Sequence, residues 1–294
     1  MKRCAPLAAA VLLAVASQGV FASDNVAVQN QSGIGNTATA DQSDPSVTFN
    51  FISQTQTGDT NTATATQVNG NTGSTVNQIQ TGNLNSSTVA QNSSDTVAAV
   101  ITQNGNTNVG VINQVASTTS TATINQFNLV NFATVTQSSS TTDTAVINQV
   151  GDNNTGTVVQ TNSTTSSAVT AQQGNLNVAT VSQFNSDTNT STLSQLGNSN
   201  NATVNQTDNN NTSAISQQNE FNTIIHAQSG SFNLASTTQI GLNNTGSTIQ
   251  SGTFGVATAL QQGNLNMFTV SQVNDFQNAN VSQIGNSNMV IIVQ

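Results

Sequence analysis

The sequence is poor in the residues on which most catalytic and binding sites depend. Its 294 residues include no tryptophan, no tyrosine, one histidine, one cysteine and two basic residues. Both basic residues, Lys2 and Arg3, stand in front of the apolar stretch 5–16, and residues 20–22 read Val-Phe-Ala. This arrangement is typical of a secretory signal peptide with a small-x-small cleavage site. We therefore assign residues 1–22 to a signal peptide and expect a secreted chain that begins at Ser23.

The mature chain would lack every lysine, arginine and cysteine. Cys4 leaves with the signal, so neither a disulfide nor a cysteine-based metal site is available. Eleven acidic residues against no basic one would give a net charge near −11. Without cations to neutralise phosphate, the usual source of nucleic-acid affinity is excluded. No apolar run is long enough to span a membrane as a helix, so we predict no membrane insertion.

Twelve copies of one pattern fill the rest of the chain. In every copy a Gln is followed five residues later by Asn and eleven residues later by a second Gln. The opening glutamines recur at intervals of 25, 24, then 23 five times and 22 four times, as in solenoids. A disordered polar tract, which composition alone would allow, places no demand on such spacing. The residues predicted to form self-assembly ladders are Gln56, Asn61, Gln67, Gln103, Asn108, Gln114, Gln149, Asn154, Gln160, Gln172, Asn177, Gln183, Gln195, Asn200, Gln206, Gln239, Asn244, Gln250, Gln283, Asn288 and Gln294.

Each copy predicts a strand, a turn, a second strand and a second turn. We count the opening Gln as position zero; positions five, seven, nine and eleven then share one face, because strand side chains alternate. This face carries Asn, mostly a small residue, mostly a β-branched residue, and Gln. Position two is Gly in ten copies, with Asn128 and Asn219 in the others. Gly and Asn tolerate positive φ best, which predicts a tight turn there.

These features predict an all-β fold, a parallel β-solenoid of two stacked sheets with an amyloid-like core. A buried amide is unfavourable unless it is paired. In register, each amide can donate to its equivalent one layer up and accept from the layer below, as in a steric zipper. We place about 11.5 repeats at 31–294, after a short leader at 23–30. Irregular layers are expected near Pro45 and Gly70, where the spacing is longer.

The motif Gln-x-Gly-x-x-Asn-x-Ala-x-x-x-Gln is intact at 56–67, 172–183 and 195–206. It resembles the curlin repeat, from which curli, the functional amyloid fibres of bacterial biofilms, are built. The resemblance covers 31–294. It implies a secreted cell-surface subunit that passes through a curli-type outer-membrane pore and polymerises with itself on a nucleator subunit. The chain has more repeats than the family's typical few, and residues 23–30 do not match its secretion segment residue by residue.

Scattered acidic residues are the next feature with a predicted role. Asp59, Asp152 and Asp275 are expected at position three, in the first turn of a copy, and Asp187 in a turn of the second half. Calcium binding is disfavoured because these copies are far apart and the calcium-binding nonapeptide repeat is absent. We predict that the four are gatekeepers, charges that delay aggregation until export. The alternative is solvated charge without a further role.

The sequence allows two interpretations of His226 and two of the C-terminal residues 288–294. His226 occupies inward position nine and is expected to be a neutral core residue held by neighbouring layers, with a pH switch as the alternative. Residues 288–294 are apolar on both faces. They form either a terminal strand that docks on another subunit or a poorly specified end of the stack.

No nucleophile with a base and no opposed carboxylates are visible, so we predict no enzyme and no cofactor. The leading function is a fibre subunit for biofilm matrix and adhesion. One rival is an ice-binding solenoid, because residues 62–66 read Thr-x-Thr-x-Thr; Val109, Phe132 and Met289 interrupt the flanking column. The other rival, a monomeric adhesive or polysaccharide-binding solenoid, would want aromatic platforms.

Overall fold

The computed structural model describes residues 24–294, which form two 12-stranded parallel sheets, with odd-numbered strands in the first and even-numbered strands in the second. The predicted all-β parallel solenoid is confirmed. The first sheet contains β1 (Val26–Ser32), β3 (Phe51–Thr57), β5 (Thr75–Thr81), β7 (Ala98–Asn106), β9 (Thr121–Leu129), β11 (Thr144–Val150), β13 (Ser167–Gln173), β15 (Thr190–Asn198), β17 (Thr212–Glu220), β19 (Leu234–Leu242), β21 (Val256–Gln262) and β23 (Asn278–Ile284). The second contains β2 (Thr37–Asp41), β4 (Thr62–Val68), β6 (Ser86–Asn92), β8 (Val109–Val115), β10 (Phe132–Ser138), β12 (Thr155–Thr161), β14 (Val178–Phe184), β16 (Asn201–Thr207), β18 (Thr223–Gln228), β20 (Thr245–Gln250), β22 (Met267–Gln272) and β24 (Met289–Val293).

Each odd strand and the even strand after it form one layer, and twelve layers are stacked. The register between layers equals the spacing of the opening glutamines: Gln126 pairs with Gln103 on one side and with Gln149 on the other. The predicted signal peptide lies outside the described residues. Within residues 24–294 every element is a strand, so no helix there could cross a membrane.

The core between the sheets is thin, and large side chains alternate with small ones across it. Strand residues alternate between buried and exposed, as in β10, where Ala133, Val135 and Gln137 face inward. Phe268 is fully buried in layer eleven, whose first-sheet strand has the small residues Ala257 and Ala259 on its inward face before Gln261. A Cβ on Gly246, one layer earlier, would collide with the Phe268 ring. Small residues at position seven therefore keep this close-packed core free of overlap.

The first turn, which joins the two strands of a layer, depends on Gly at position two for two reasons. Gly151 has φ of +117°, and a Cβ there would collide with the carbonyl oxygen of Gly174 in the next layer. The two exceptions, Asn128 and Asn219, have φ of 75° and 71°. The positive φ predicted for this position is confirmed, and the collision adds the close approach of successive turns as a second requirement.

The second turn, which leads from one layer to the next, absorbs all variation in repeat length. Residues 42–50 and 69–74 connect the first three layers, whereas residues 185–189 and then 208–211 suffice later. The irregular spacing near Pro45 and Gly70 is thus confined to turns, because β1, β3 and β5 pair without a break in register. In the longer turns one further backbone pair per layer forms a short third side. Its members are Thr48, Thr72, Asp95, Thr118, Thr141, Thr164 and Asp187.

Both ends of the stack differ in detail from the sequence expectation. β1 begins at Val26, so the first layer includes residues 26–30, which the predicted leader had contained. At the other end, β24 is the second strand of a complete layer and faces β23, with Val290 and Ile292 against the core. No described residue packs on the end face of this layer, and Met289 and Val293 in its outward row are 63 % and 72 % exposed.

Candidate functional site: the amide ladders

Two unbroken columns of glutamine side chains run through the twelve layers. Each Nε2 donates to the Oε1 of the equivalent Gln in the next layer, at 2.7–3.0 Å in the opening column. The closing column has the same bonds at 2.6–3.0 Å. All predicted Gln ladder residues therefore take part in such chains. Every Nε2 points towards the C-terminal layer, which makes both columns polar.

In layers three to twelve the second proton of each ladder glutamine bonds a carbonyl oxygen across the core, a contact that the sequence did not predict. Gln126 of the first sheet donates to the carbonyl oxygen of Val109 in the second sheet at 2.9 Å. Gln137 of the second sheet donates to the carbonyl oxygen of Thr121 in the first at 3.0 Å. The glutamines thus join successive layers and also join the two sheets, and their buried polar atoms are satisfied.

The asparagine column has the predicted amide-to-amide bonds and adds main-chain bonds to them. The Oδ1 of Asn108 accepts the side-chain Nδ2 of Asn131 at 3.2 Å and also the main-chain N–H of Asn131 at 3.0 Å. The Asn131 Nδ2 donates at 2.7 Å to the carbonyl oxygen of Gly151 in the next layer. The column therefore pairs turn backbone across layers, and its acceptor oxygens point towards the C-terminal layer.

A third glutamine column occupies only the first three layers and was missed by the sequence interpretation. Gln29 donates to Gln54 and Gln54 to Gln78, each at 2.8 Å, two residues before the opening glutamines. From layer four onwards an apolar residue, first Ile101, takes this inward position in every layer except two, which have Thr170 and Thr237 there. The signal was present in the sequence, because Gln-x-Gln places two amides on one face of a strand.

Two of the predicted gatekeepers, Asp59 and Asp152, form hydrogen bonds that hold the first turns of successive layers together. The carboxylates of Asp59 and Asp152 accept main-chain N–H groups of Ile34 and Leu129 in the preceding layer, at 2.8 and 3.0 Å. Asparagine at position three does the same in other layers, for example Asn83. Asp59 is exposed and Asp152 half-buried. Their side chains thus have a structural role at this position, and gatekeeping stays a prediction.

The expected location of Asp275 is wrong. It lies three residues after the closing Gln272, in a second turn, where it accepts the main-chain N–H of Thr253 at 2.8 Å. The two strands of a layer both end in glutamine followed by a turn, so the two turns are easily exchanged. Asp187 lies in a second turn, as expected, and is exposed.

Asp143 is a buried carboxylate that sequence reasoning overlooked. It precedes β11 at an inward position where neighbouring layers have Ser120 and Ser166. The hydroxyl of Ser163 and the main-chain N–H of Ser166, the latter at 2.8 Å, donate to it. Burial raises the pKa of the Asp143 carboxyl, and these hydrogen bonds oppose that effect only in part. No described residue supplies a positive charge, so the carboxylate has hydrogen-bond donors but no ion-pair partner.

His226 lies at the inward position expected for it and reaches across the core. Its Nδ1 is 2.8 Å from the Ser213 hydroxyl and its Nε2 is 2.8 Å from the Thr237 hydroxyl, both in the first sheet. The ring is fully buried, and burial lowers the pKa of His226 to about 3. A neutral imidazole with one donor and one acceptor nitrogen matches two hydroxyl partners.

Among residues 24–294 no group of three or more His, Cys, Asp or Glu side chains is close enough to hold a metal ion. Three buried hydroxyls in this part of the chain have no hydrogen-bond partner: Ser87, Thr170 and Ser191.

No protein-family model matches the sequence, and no curated protein matches it significantly. The amide columns are consequently the feature on which a functional argument can be built.

Proposed function

We propose that the chain is a secreted structural subunit that polymerises end to end into curli-like extracellular amyloid fibres, which serve biofilm matrix and surface adhesion. The single observation that carries this proposal is the state of the ladders in the two end layers. In layer twelve the side-chain nitrogens of Gln283 and Gln294 donate only to carbonyl oxygens across the core. In layer one, no described residue donates to the side-chain oxygens of Gln31 and Gln42.

The two ends are complementary in hydrogen bonding. One end offers glutamine donors and the other offers glutamine acceptors, because every Nε2 in the stack points the same way. The asparagine column runs in the opposite sense, with the Oδ1 of Asn288 at the end where the glutamine donors are. Addition of a second copy head to tail would continue all three columns, whereas head-to-head contact would place like groups together.

The open strand edges favour the same outcome. Among the described residues, β1 and β2 at one end and β23 and β24 at the other each have a strand partner on one side only. Such edges are templates for further strands unless they are covered. A head-to-tail junction would add two parallel strand pairs and the ladder bonds, each hydrogen bond being worth about 0.5–1.5 kcal/mol. Its registry would be the same as that between any two internal layers.

Export and surface attachment follow from the resemblance to the curlin repeat. The proposed route uses the signal peptide of residues 1–22, a curli-type outer-membrane pore and a nucleator subunit on the bacterial surface. These partners are supported by the repeat motif and by the polymer function it serves.

The test is assembly of the mature chain, residues 23–294, after dilution from denaturant. We expect thioflavin T fluorescence to rise after a lag, unbranched fibres in electron micrographs, and a fibre reflection at about 4.7–4.8 Å along the axis. A chain that folds, stays monomeric at high concentration and forms no fibre on seeding would refute the proposal.

The ice-binding alternative is favoured by one observation: Thr62, Thr64 and Thr66 all lie on the outward face of β4. The outward centre of the next strand is again threonine, at Thr88, but Val111 takes that place in β8. Thermal hysteresis in solutions of the monomer, without fibres, would favour this alternative over the fibre subunit.

A further inference from the structure

Position four, counted from the opening Gln, lies in the first turn. Large apolar and small polar residues alternate at this position along one edge of the solenoid. Odd layers from three to eleven have a large apolar residue there, 48–60 % exposed: Leu84, Val130, Leu176, Phe221 and Leu265. We call these five residues the knobs. Even layers have a smaller polar residue at the same place. These gaps are Thr60, Thr107, Asn153, Ser199, Asn243 and Ser287.

Folding of a single chain does not explain the knobs. Every one of them has a φ between 57° and 58°, a left-handed conformation that Asn or Gly adopts more readily. Steric crowding between successive layers does not require large and small residues to alternate either. At the left-handed position of the second turn, Phe232, Phe254 and Phe276 follow one another in consecutive layers and stack at 4.9 and 5.2 Å. The alternation therefore points to something outside the chain.

The spacing of the knobs identifies the kind of partner. Layers of paired strands are about 4.8 Å apart, so the knobs recur about every 9.6 Å along the axis. A partner that fits all five must have its own recesses at that period over the same length. A second copy of this chain has them, because its gaps recur at the same distance.

We propose that two copies pair side by side through their first-turn edges, antiparallel, with a two-fold axis between layers six and seven. Layer n of one copy then lies opposite layer 13 − n of the other. Odd layers face even layers, so every knob faces a gap: Val130 in layer five faces Ser199 in layer eight, and Leu176 faces Asn153. The contact is isologous and closes on itself, as in most dimers.

Position three of the same turn gives independent support for this orientation. It is asparagine in layers three, four, seven, eight, eleven and twelve, and is Ile34, Asp59, Leu129, Asp152, Glu220 and Leu242 in the others. In the antiparallel arrangement each of these six residues faces an asparagine. No acid faces an acid, and each acid faces an amide that can donate to it.

Parallel arrangements fail this comparison. Two parallel copies in phase would place Asp59 against Asp59, and like charges in contact are unfavourable. Two parallel copies displaced by one layer would fit knobs to gaps, but would place Ile34 against Asp59 and Leu129 against Asp152. Only the antiparallel pair both fits knobs to gaps at position four and places an asparagine opposite every acid at position three.

The edge is large enough for a specific contact. Twelve layers at about 4.8 Å give a length of about 58 Å, and the separation of the two sheets gives a width of about 10 Å. Such a strip would bury roughly 580 Å² on each copy, or about 1,160 Å² in total, which is just below the range of about 1,200–2,000 Å² for stable interfaces and above the roughly 1,000 Å² that a specific interface needs. Pairing of this kind does not require end-to-end growth, and end-to-end growth does not require pairing.

Thiol cross-linking tests the orientation, because the described residues contain no cysteine. Val130→Cys and Ser199→Cys chains are mixed and treated with a short bis-maleimide. We expect a covalent dimer as the main product of the mixture and little from either variant alone. Thr142→Cys, at the left-handed position of the opposite edge, is the matched control and should not cross-link to either. Dimers from Val130→Cys alone, or none from the mixture, would overturn the proposal.

A second variant tests the knobs without disturbing the fold. Leu84, Leu176 and Leu265 are replaced together by Asn. Layer ten of the wild-type chain already has asparagine at this position, Asn243. We expect sedimentation to show loss of the paired species, and micrographs to show thinner fibres, while the thioflavin T lag changes little. The triple change Phe232, Phe254 and Phe276→Asn should leave pairing intact. Unchanged pairing in the leucine variant refutes the inference, whereas absence of fibres in both variants and wild type concerns only the proposed polymer function.

Discussion

Replacement of one mid-stack glutamine tests how much stability the ladders contribute. In Gln137→Ala, the Gln114 Nε2 loses its acceptor at 2.8 Å, and Gln160 Oε1 and the Thr121 carbonyl lose their donor at 2.9 and 3.0 Å. Each buried group left unpaired is unfavourable by about 1–3 kcal/mol. With partial relaxation of the neighbours, we expect the free energy of unfolding to fall by about 3–6 kcal/mol.

The matched control is Thr136→Ala, which changes the adjacent outward residue of the same strand and should alter stability by no more than about 0.5 kcal/mol. Urea unfolding of dilute monomer, followed by circular dichroism, gives both values. Because layers depend on their nearest neighbours, the glutamine variant should also unfold less cooperatively. If the two variants unfold within about 0.5 kcal/mol of each other, the ladders are not a main source of stability.

The remaining predictions concern assembly and pH. Gln294→Ala, which removes the terminal ladder donor, should slow fibre formation more than Thr180→Ala, and equal thioflavin T lag times would contradict this. Joint replacement of the turn acids by Asn keeps the turn hydrogen bonds and removes repulsion, so the lag should shorten at low salt; an unchanged lag would leave these acids as solubilising charge. The residues are Asp59, Asp152, Asp187 and Asp275. Since the pKa of His226 is lowered to about 3 from 6.5, the unfolded chain binds the extra proton between these values. Stability should therefore fall as pH drops from 6.5 to 3, and His226→Val should unfold with less dependence on pH over that range.

The sequence contained enough information for the strands and the glutamine columns, because alternation and strict spacing reflect backbone geometry directly. Gln126 and Gln137 lie where the repeat placed them. The cross-core bonds were not predictable, since they depend on the distance between the sheets. Left-handed φ at Leu84 or Val130 was not predictable either, because leucine and valine disfavour that conformation. Asp275 was placed in the wrong turn because both turns follow a glutamine.

Asp143 offers the last test, since its pH dependence should have the opposite sign to that of His226. Burial raises the pKa of Asp143 above its usual value of 3.8. The folded chain then binds more protons than the unfolded chain in the interval between the two pKa values. Its contribution to stability is accordingly present below the unfolded value and is lost as pH rises through the folded value.

Asp143→Ser restores the residue found at this inward position in the adjacent layers, Ser120 and Ser166. We expect the variant to be more stable than the wild type at pH 7 and to approach it at pH 3, as measured by thermal unfolding. Asp95→Ser, a change of an exposed acid in another second turn, should give no comparable gain. A variant that loses stability at pH 7 would mean that the hydrogen bonds from Ser163 and Ser166 outweigh the burial of the charge.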